Sequence, residues 1–139
     1  MGDPRKLARI LRVRTLQLGL ARAEEARARA THEQENALSS RIAQLVTAVA
    51  PVEDRAGGFS LAAAAHYRER LHRSAETAAD RVRTAGEEAA RAAEAARAAR
   101  RDQSAVEKLI QRELTEKAAR EIRALRDAPP ARKIRHDPC

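Results

Sequence analysis

The apolar positions between Leu71 and Ile110 recur at strictly alternating spacings of four and three residues. Eleven of these twelve positions are apolar, and most positions between them carry good helix formers. This period is typical of a coiled-coil seam, the stripe along which two helices pack. The twelve positions are Leu71, Ala75, Ala78, Val82, Ala85, Ala89, Ala92, Ala96, Ala99, Gln103, Val106 and Ile110. A single helix cannot bury such a stripe, so the pattern predicts a long helix packed against a second one.

A related pattern runs through the N-terminal part of the chain, where Asp3 and Pro4 suit the N-cap and the first turn of a helix. The predicted seam there slips once by a four-residue step. Its positions are Val13, Leu16, Leu20, Ala23, Arg27, Ala30 and Gln34, then Leu38, Ile42, Leu45 and Val49. Two interpretations of Arg27 and Gln34 remain open: their long stems cover a groove lined by alanine, or they set the register or face a partner.

Between these segments, residues 51–60 include Pro51, Gly57 and Gly58, and Ser60 is a suitable N-cap for the second helix. A connection this short makes two long helices antiparallel neighbours. The sequence therefore predicts an all-α fold, a long antiparallel two-helix coiled-coil hairpin. Helix one spans 4–50, the turn 51–60 and the longer helix two 61–127, and a disordered basic C-terminal tail occupies 128–139.

The two arms of this hairpin are unequal in length. With the turn centred near Arg55, residue i lies opposite residue 111 − i, so Leu7 meets Ser104 and Leu45 meets His66. Residues 107–127 then overhang, yet they stay amphipathic. Their apolar positions are Leu109, Ile110, Leu114, Ala118, Ile122 and Leu125. An apolar stripe on an exposed helix predicts contact with another molecule or self-association.

Charge distinguishes the two ends of the rod, within a formal net charge of +8. Residues 1–30 carry eight basic and three acidic side chains, and residues 105–139 carry nine and six. Residues 31–60 carry two and four, so the closed end is acidic. The only aromatic residues, Phe59 and Tyr67, also lie at the closed end, and aromatic side chains are favoured binding anchors. Two chemically different ends indicate two different partners.

Motifs for catalysis or for metal binding are missing from the sequence. It has no glycine-rich phosphate loop, no zinc-spaced cysteine or histidine pair, and no nucleophile beside a base. Its single cysteine cannot form an intrachain disulfide, and no apolar run is long enough to cross a membrane. We therefore expect a protein that is not an enzyme and that binds no cofactor, metal ion or small-molecule substrate.

The layout resembles FliJ-type flagellar export stalk proteins and their counterparts in virulence type III secretion. Four features carry the resemblance: a Leu-rich basic first helix (LARILRVRTLQLGL), a short turn near residue 55, a longer second helix, and a charged, Leu-spaced stretch (VEKLIQRELTEKAAREIRALRD). It covers most of the chain, although the alanine-rich middle at 85–101 carries no family information. The near absence of aromatic residues at the closed end departs from the family pattern.

The resemblance implies a two-helix coiled coil similar to the gamma subunit of rotary ATP synthases. Its open end would insert into a hexameric export ATPase ring, and its rod would lead to a membrane export gate protein. Export chaperones are a further implied class of partner. The implied location is cytoplasmic and peripheral, at the cytoplasmic face of the inner membrane.

Site residues are likewise implied by the resemblance. The ATPase-facing residues are Leu7, Arg9, Leu11, Arg12, Leu109, Arg112, Leu114, Lys117, Arg120 and Arg123. The gate-facing residues are Gln34, Leu38, Leu45, Tyr67 and Leu71.

Two alternatives come from other functional classes. The basic charge allows a nucleic-acid-associated helical protein, but acids are interleaved with the arginines and there is no aromatic stacking platform. Residues 4–20 could instead form an amphipathic helix on a membrane surface. Salt-dependent DNA binding and flotation with liposomes discriminate these from a stalk.

Overall fold

The computed structural model describes residues 3–49 and 58–130, which form two helices. Helix α1 spans Pro4–Ala48 and helix α2 spans Gly58–Asp127, and they contain 45 and 70 residues. Contacts pair the start of α1 with the later part of α2 and the end of α1 with its earlier part, so the helices are antiparallel. The predicted all-α two-helix hairpin with a longer second helix is confirmed.

The helix ends follow local capping chemistry. The Asp3 carboxylate accepts a hydrogen bond from the backbone N–H of Arg5 at 3.0 Å, and Pro4 occupies the first turn, as predicted. Helix α1 ends at Ala48, two residues before the predicted end. Helix α2 begins at Gly58, so Ser60 lies within its first turn instead of capping it. Residues 51–57 of the predicted turn at 51–60 and residues 131–139 of the predicted tail at 128–139 lie outside the described residues.

The contact stripe of α2 agrees with the prediction at every position. All twelve predicted residues from Leu71 to Ile110 are buried or half-buried, and Ala78, Ala85, Ala96 and Val106 are the most deeply buried. The same alternation continues to Ala64 at one end and to Glu113 at the other. Alanine dominates this stripe, so the two helix axes can approach each other closely.

The contact stripe of α1 differs from the predicted one. Val13, Leu16 and Leu20, predicted to lie on the seam, are exposed on the outside of the hairpin. The residues that face α2 keep an unbroken alternation of four and three, with no slip. They are Leu7, Leu11, Arg14, Leu18, Ala21, Glu25, Ala28, His32, Glu35, Ser39, Ile42, Val46 and Val49. Long polar stems on this stripe can extend along the small residues of α2 toward the rim, whereas one Glu35 carboxylate oxygen is buried without a hydrogen-bond partner among the described residues.

Two of these polar residues have visible partners. Arg14 donates to the Asp102 carboxylate across the interface at 3.0 Å, and Glu25 pairs with Arg29 on its own helix at 2.5 Å. His32 lies against Gly86, where a side chain would begin 3.3 Å from the His32 Nε2 atom. Polar positions on α1 are thus fitted to small residues on α2.

The register also differs from the prediction. Arg14 lies beside Asp102 and Thr15 hydrogen-bonds Gln103 at 3.2 Å, and their residue numbers add to 116 and 118. Residue i therefore lies opposite about 117 − i, six residues along α2 from the predicted partner. The centre of the pairing thus moves from Arg55 to about residue 58, so the first residues of α2 lie beyond the end of α1 at the closed end.

Candidate functional site

The open end of the hairpin, where α1 starts, is the candidate functional site. With Leu7 opposite Ile110, α1 runs out at about Glu113, the last α2 residue that is not fully exposed. Residues 114–127 continue as helix beyond that point, over about 21 Å at 1.5 Å per residue. We call this segment the overhang. It is shorter than the predicted 107–127, because Ile110 belongs to the helix contact.

The overhang is amphipathic although nothing in the described part of the chain covers it. Leu114, Ile122 and Leu125 are 57%, 53% and 77% exposed. Together with Ala118 they lie within about 80° of arc at 100° per residue, so they form one apolar face. An isolated helix gains nothing from holding three large aliphatic side chains on one face in water. The face therefore indicates a binding surface.

Basic residues occupy the rest of the overhang at intervals of three. They are Lys117, Arg120, Arg123 and Arg126, accompanied by Glu116, Glu121 and Asp127. Lys117 reaches the Glu121 carboxylate at 4.0 Å, an exposed pair that contributes little to stability. At the base of the overhang a groove of about 330 Å³ is lined by Leu7, Leu109, Arg112, Glu113 and Glu116. Four basic and three acidic side chains therefore surround the apolar face, for a net charge of +1 on the overhang.

The structure divides the predicted ATPase-facing residues into two groups. Leu7 and Leu11 face α2 and are half-buried in the helix contact, and Leu7 also lines the groove at the base of the overhang. The other eight are exposed at the open end. They are Arg9, Arg12, Leu109, Arg112, Leu114, Lys117, Arg120 and Arg123.

The predicted gate-facing residues also divide. Leu71 lies in the helix contact and is half-buried. Gln34, Leu38, Leu45 and Tyr67 are exposed, and they lie on both helices toward the closed end. Leu38 lines a groove of about 290 Å³ together with Ile42 and Ala78.

A second apolar surface on α1 was missed by the sequence interpretation, which assigned most of it to the helix contact. Ile10, Val13, Leu16 and Leu20 are 45%, 52%, 65% and 70% exposed. We call these four residues the outer stripe. At 100° per residue they share about 120° of arc on the side of α1 away from α2. The sequence already contains two interleaved apolar stripes in this helix, and this pattern could have revealed the outer stripe.

Arginines line one further groove, midway along the rod. Its floor contains Leu18 and Ala96, its volume is about 490 Å³, and its rim includes Arg22, Arg29 and Arg100. Arg97 and Arg101, also on the rim, both bind the exposed Glu94 carboxylate at 3.1 and 3.0 Å. The hydrogen bond from Arg101, aided by the charge of Arg97, lowers the pKa of Glu94. Part of the arginine charge is thus already compensated within the chain.

Residues 3–49 and 58–130 contain no group of three or more side chains that could hold a metal ion. Within the same described ranges, neither helix is long and apolar enough to cross a membrane. Comparison of the chain with protein-family models, with curated proteins and with solved structures finds no match.

Proposed function

We propose that this chain is a non-enzymatic stalk of a type III protein export apparatus, flagellar or virulence-associated. Its open end enters a hexameric export ATPase ring, and its closed end points toward a membrane export gate protein. The proposal extends to the location that such a role requires, peripheral at the cytoplasmic face of the inner membrane. Export chaperones are further candidate partners.

The overhang is the observation that carries this proposal. A stalk that engages the inside of a ring needs a helix extending beyond its own partner, with side chains that the fold does not use. Leu114, Ile122 and Leu125 meet that requirement, since they are exposed and lie on one face. The alternating seam that holds the two helices together stops before them, so contacts made by the overhang need not disturb the hairpin.

The shape of the rod supports the same role. Two continuous helices in contact from Leu7 to Val49 make a rod that transmits orientation better than a single helix of the same length. Its interface is built largely from alanine, which buries little area per residue. A partner that binds only the folded hairpin would therefore raise its stability by mass action.

A matched pair of substitutions on the overhang tests the proposal. Ile122→Glu places a charge on the apolar face, and Ala119→Glu places the same charge about a quarter turn from the centre of that face. We expect Ile122→Glu to weaken binding to the secretion ATPase of the same organism by roughly 30-fold, the effect of losing one interface anchor. Ala119→Glu should change binding by less than about threefold.

Isothermal titration of the purified ATPase with each variant provides the measurement, and stimulation of ATP hydrolysis provides a second readout. Wild-type protein that neither binds nor stimulates the ATPase would overturn the stalk assignment. Equal loss from both substitutions would instead show that the apolar face is not the contact. Circular dichroism confirms that both variants keep their helix content.

A further inference from the structure

The outer stripe of α1 is an exposed apolar surface on the described part of the chain. Val13, Leu16 and Leu20 follow the alternating spacing that a coiled-coil seam uses, and Ile10 extends their face by one turn, so the surface that best covers the stripe is another helix. Its length, from Ile10 to Leu20, corresponds to about three helical turns. Helix α2 already occupies the opposite side of α1 and cannot reach it.

The order of side chains along the outer stripe is self-complementary. If a second α1 lies antiparallel across it, centred near residue 15, Ile10 meets Leu20 of the second copy and Val13 meets its Leu16. Each contact then occurs twice, as a two-fold axis requires. The four apolar residues pair completely in this arrangement.

Charge supports the same antiparallel alignment. The basic residues Lys6 and Arg9 lie beyond one end of the outer stripe, and Glu24 lies beyond the other. Between Asp3 and Glu24 the sequence has no acid, so a parallel pair would set the basic segment of one copy against that of the other. The antiparallel pair places Lys6 opposite Glu24 of the second copy, twice over.

We propose that the free protein forms a two-fold antiparallel homodimer through the outer stripe. This inference rests on α1 alone and does not depend on the proposed stalk function. With the pair centred near residue 15, the second rod runs alongside the overhang, so the dimer describes the free protein and would separate before the open end enters a ring. A chain that stays monomeric would overturn the dimer and leave the stalk proposal standing.

Sedimentation equilibrium of the full chain under reducing conditions tests whether a dimer forms, since Cys139 could otherwise link two chains covalently. Leu16→Asp should raise the dimer dissociation constant by roughly 30-fold or more. Ala8→Asp, on an exposed part of α1 outside the outer stripe, is the matched control and should leave it within about threefold. A wild-type monomer at every concentration, or a dimer that Leu16→Asp does not weaken, would overturn the proposal.

Cross-linking tests the orientation independently of these variants. In a Cys139→Ser background, a mixture of Lys6→Cys and Glu24→Cys chains should form disulfide-linked dimers. Lys6→Cys chains alone should not, because two antiparallel Lys6 positions are about 27 Å apart. Efficient cross-linking of Lys6→Cys chains alone would mean a parallel pair and would overturn the proposal.

Flotation with vesicles that contain anionic lipid tests whether the outer stripe binds a membrane surface instead of a second copy of the chain. The dimer hides the outer stripe, so we expect wild-type protein to remain unbound at physiological salt. A monomer that floats with the vesicles and loses that binding through Leu16→Asp would assign the stripe to a membrane surface instead.

Discussion

The two helices share one interface but bring different residues to it. The contact stripe of α2 is almost entirely alanine and valine between Ala75 and Ala99. That of α1 is mixed, and five of its thirteen positions are polar or charged: Arg14, Glu25, His32, Glu35 and Ser39. Helix α2 therefore has one apolar face that α1 covers, whereas α1 divides its apolar residues between two faces.

This difference shows which surfaces of the hairpin can bind other chains, given that few of its apolar residues are buried. The buried apolar residues among those described are Leu18, Ala78, Ala85, Ala96 and Val106, and three of the five are alanine. Several larger aliphatic residues lie outside, on the outer stripe and on the overhang. The rod places its bulky side chains on surfaces that other chains can cover, and the hairpin itself is only weakly stabilised.

Replacing a leucine on each face of α1 should produce the largest contrast. Leu18 is 4% exposed and Leu20 is 70% exposed, although they are two residues apart. Leu18→Ala should lower the free energy of unfolding by about 2 to 3 kcal/mol, because it removes buried contacts and leaves a cavity. Leu20→Ala should change it by less than about 0.5 kcal/mol.

Urea denaturation followed by circular dichroism measures both values, at protein concentrations low enough to keep the chain monomeric. A larger loss for Leu20→Ala than for Leu18→Ala would mean that the stripe of Val13, Leu16 and Leu20 is the true helix contact. That result would restore the contact face of α1 expected from the sequence.

Replacing Gly19 or Gly86, which lie inside the two helices, by alanine should give a smaller difference in the free energy of unfolding. The Gly19 substitution should be stabilising. A methyl group at Gly19 meets nothing within 4 Å, so Gly19→Ala should stabilise the protein by about 0.5 to 1 kcal/mol through helix propensity. At Gly86 the added carbon lies 3.3 Å from the His32 ring, which must move. Gly86→Ala should therefore stabilise less, or destabilise.

Thermal melting of the two variants tests this pair directly. If Gly86→Ala raises the melting temperature as much as Gly19→Ala does, or more, then α2 does not approach His32 closely at this point.

The smallest effect should come from the exposed Glu94 cluster. Arg101 and then Arg97 lower the pKa of the folded-state Glu94 carboxyl, so its contribution to stability is present at neutral pH. That contribution disappears as the pH falls through the lowered folded-state pKa. Glu94→Gln should thus melt slightly below wild type at neutral pH and with it at strongly acidic pH. A gap between the two that widens on acidification would contradict the assigned pairing.

The contact face of a helix could be predicted from the sequence only where the helix has a single apolar stripe. Helix α2 has a single long one, so the spacing from Leu71 to Ile110 predicted its contact face completely. Helix α1 has two, and choosing between them required knowing that Arg14 reaches Asp102 and that Glu25 reaches Arg29. Apolar periodicity alone favoured Val13, Leu16 and Leu20 because polar residues interrupt the true stripe.

The sequence predicted that α2 extends beyond α1 at the open end, but it did not predict where the overhang begins. An overhang results from unequal helix lengths, and its apolar positions Leu114, Ile122 and Leu125 were identified from spacing. Its starting point depends on the register, which the contacts of Arg14 with Asp102 and of Gln103 with Thr15 place about six residues along α2 from the expected one. That shift shortened the overhang to residues 114–127.

Chain length provides the most direct test of the central claim, that the overhang is a binding element outside the fold. Chains ending at Asp127 and at Glu113 can be compared by urea unfolding and by binding to the export ATPase. We expect free energies of unfolding within about 0.5 kcal/mol of each other, with ATPase binding retained only by the longer chain. A loss of more than about 1 kcal/mol in the shorter chain would show that the overhang belongs to the fold, and undiminished ATPase binding by that chain would show that the overhang is not the binding element.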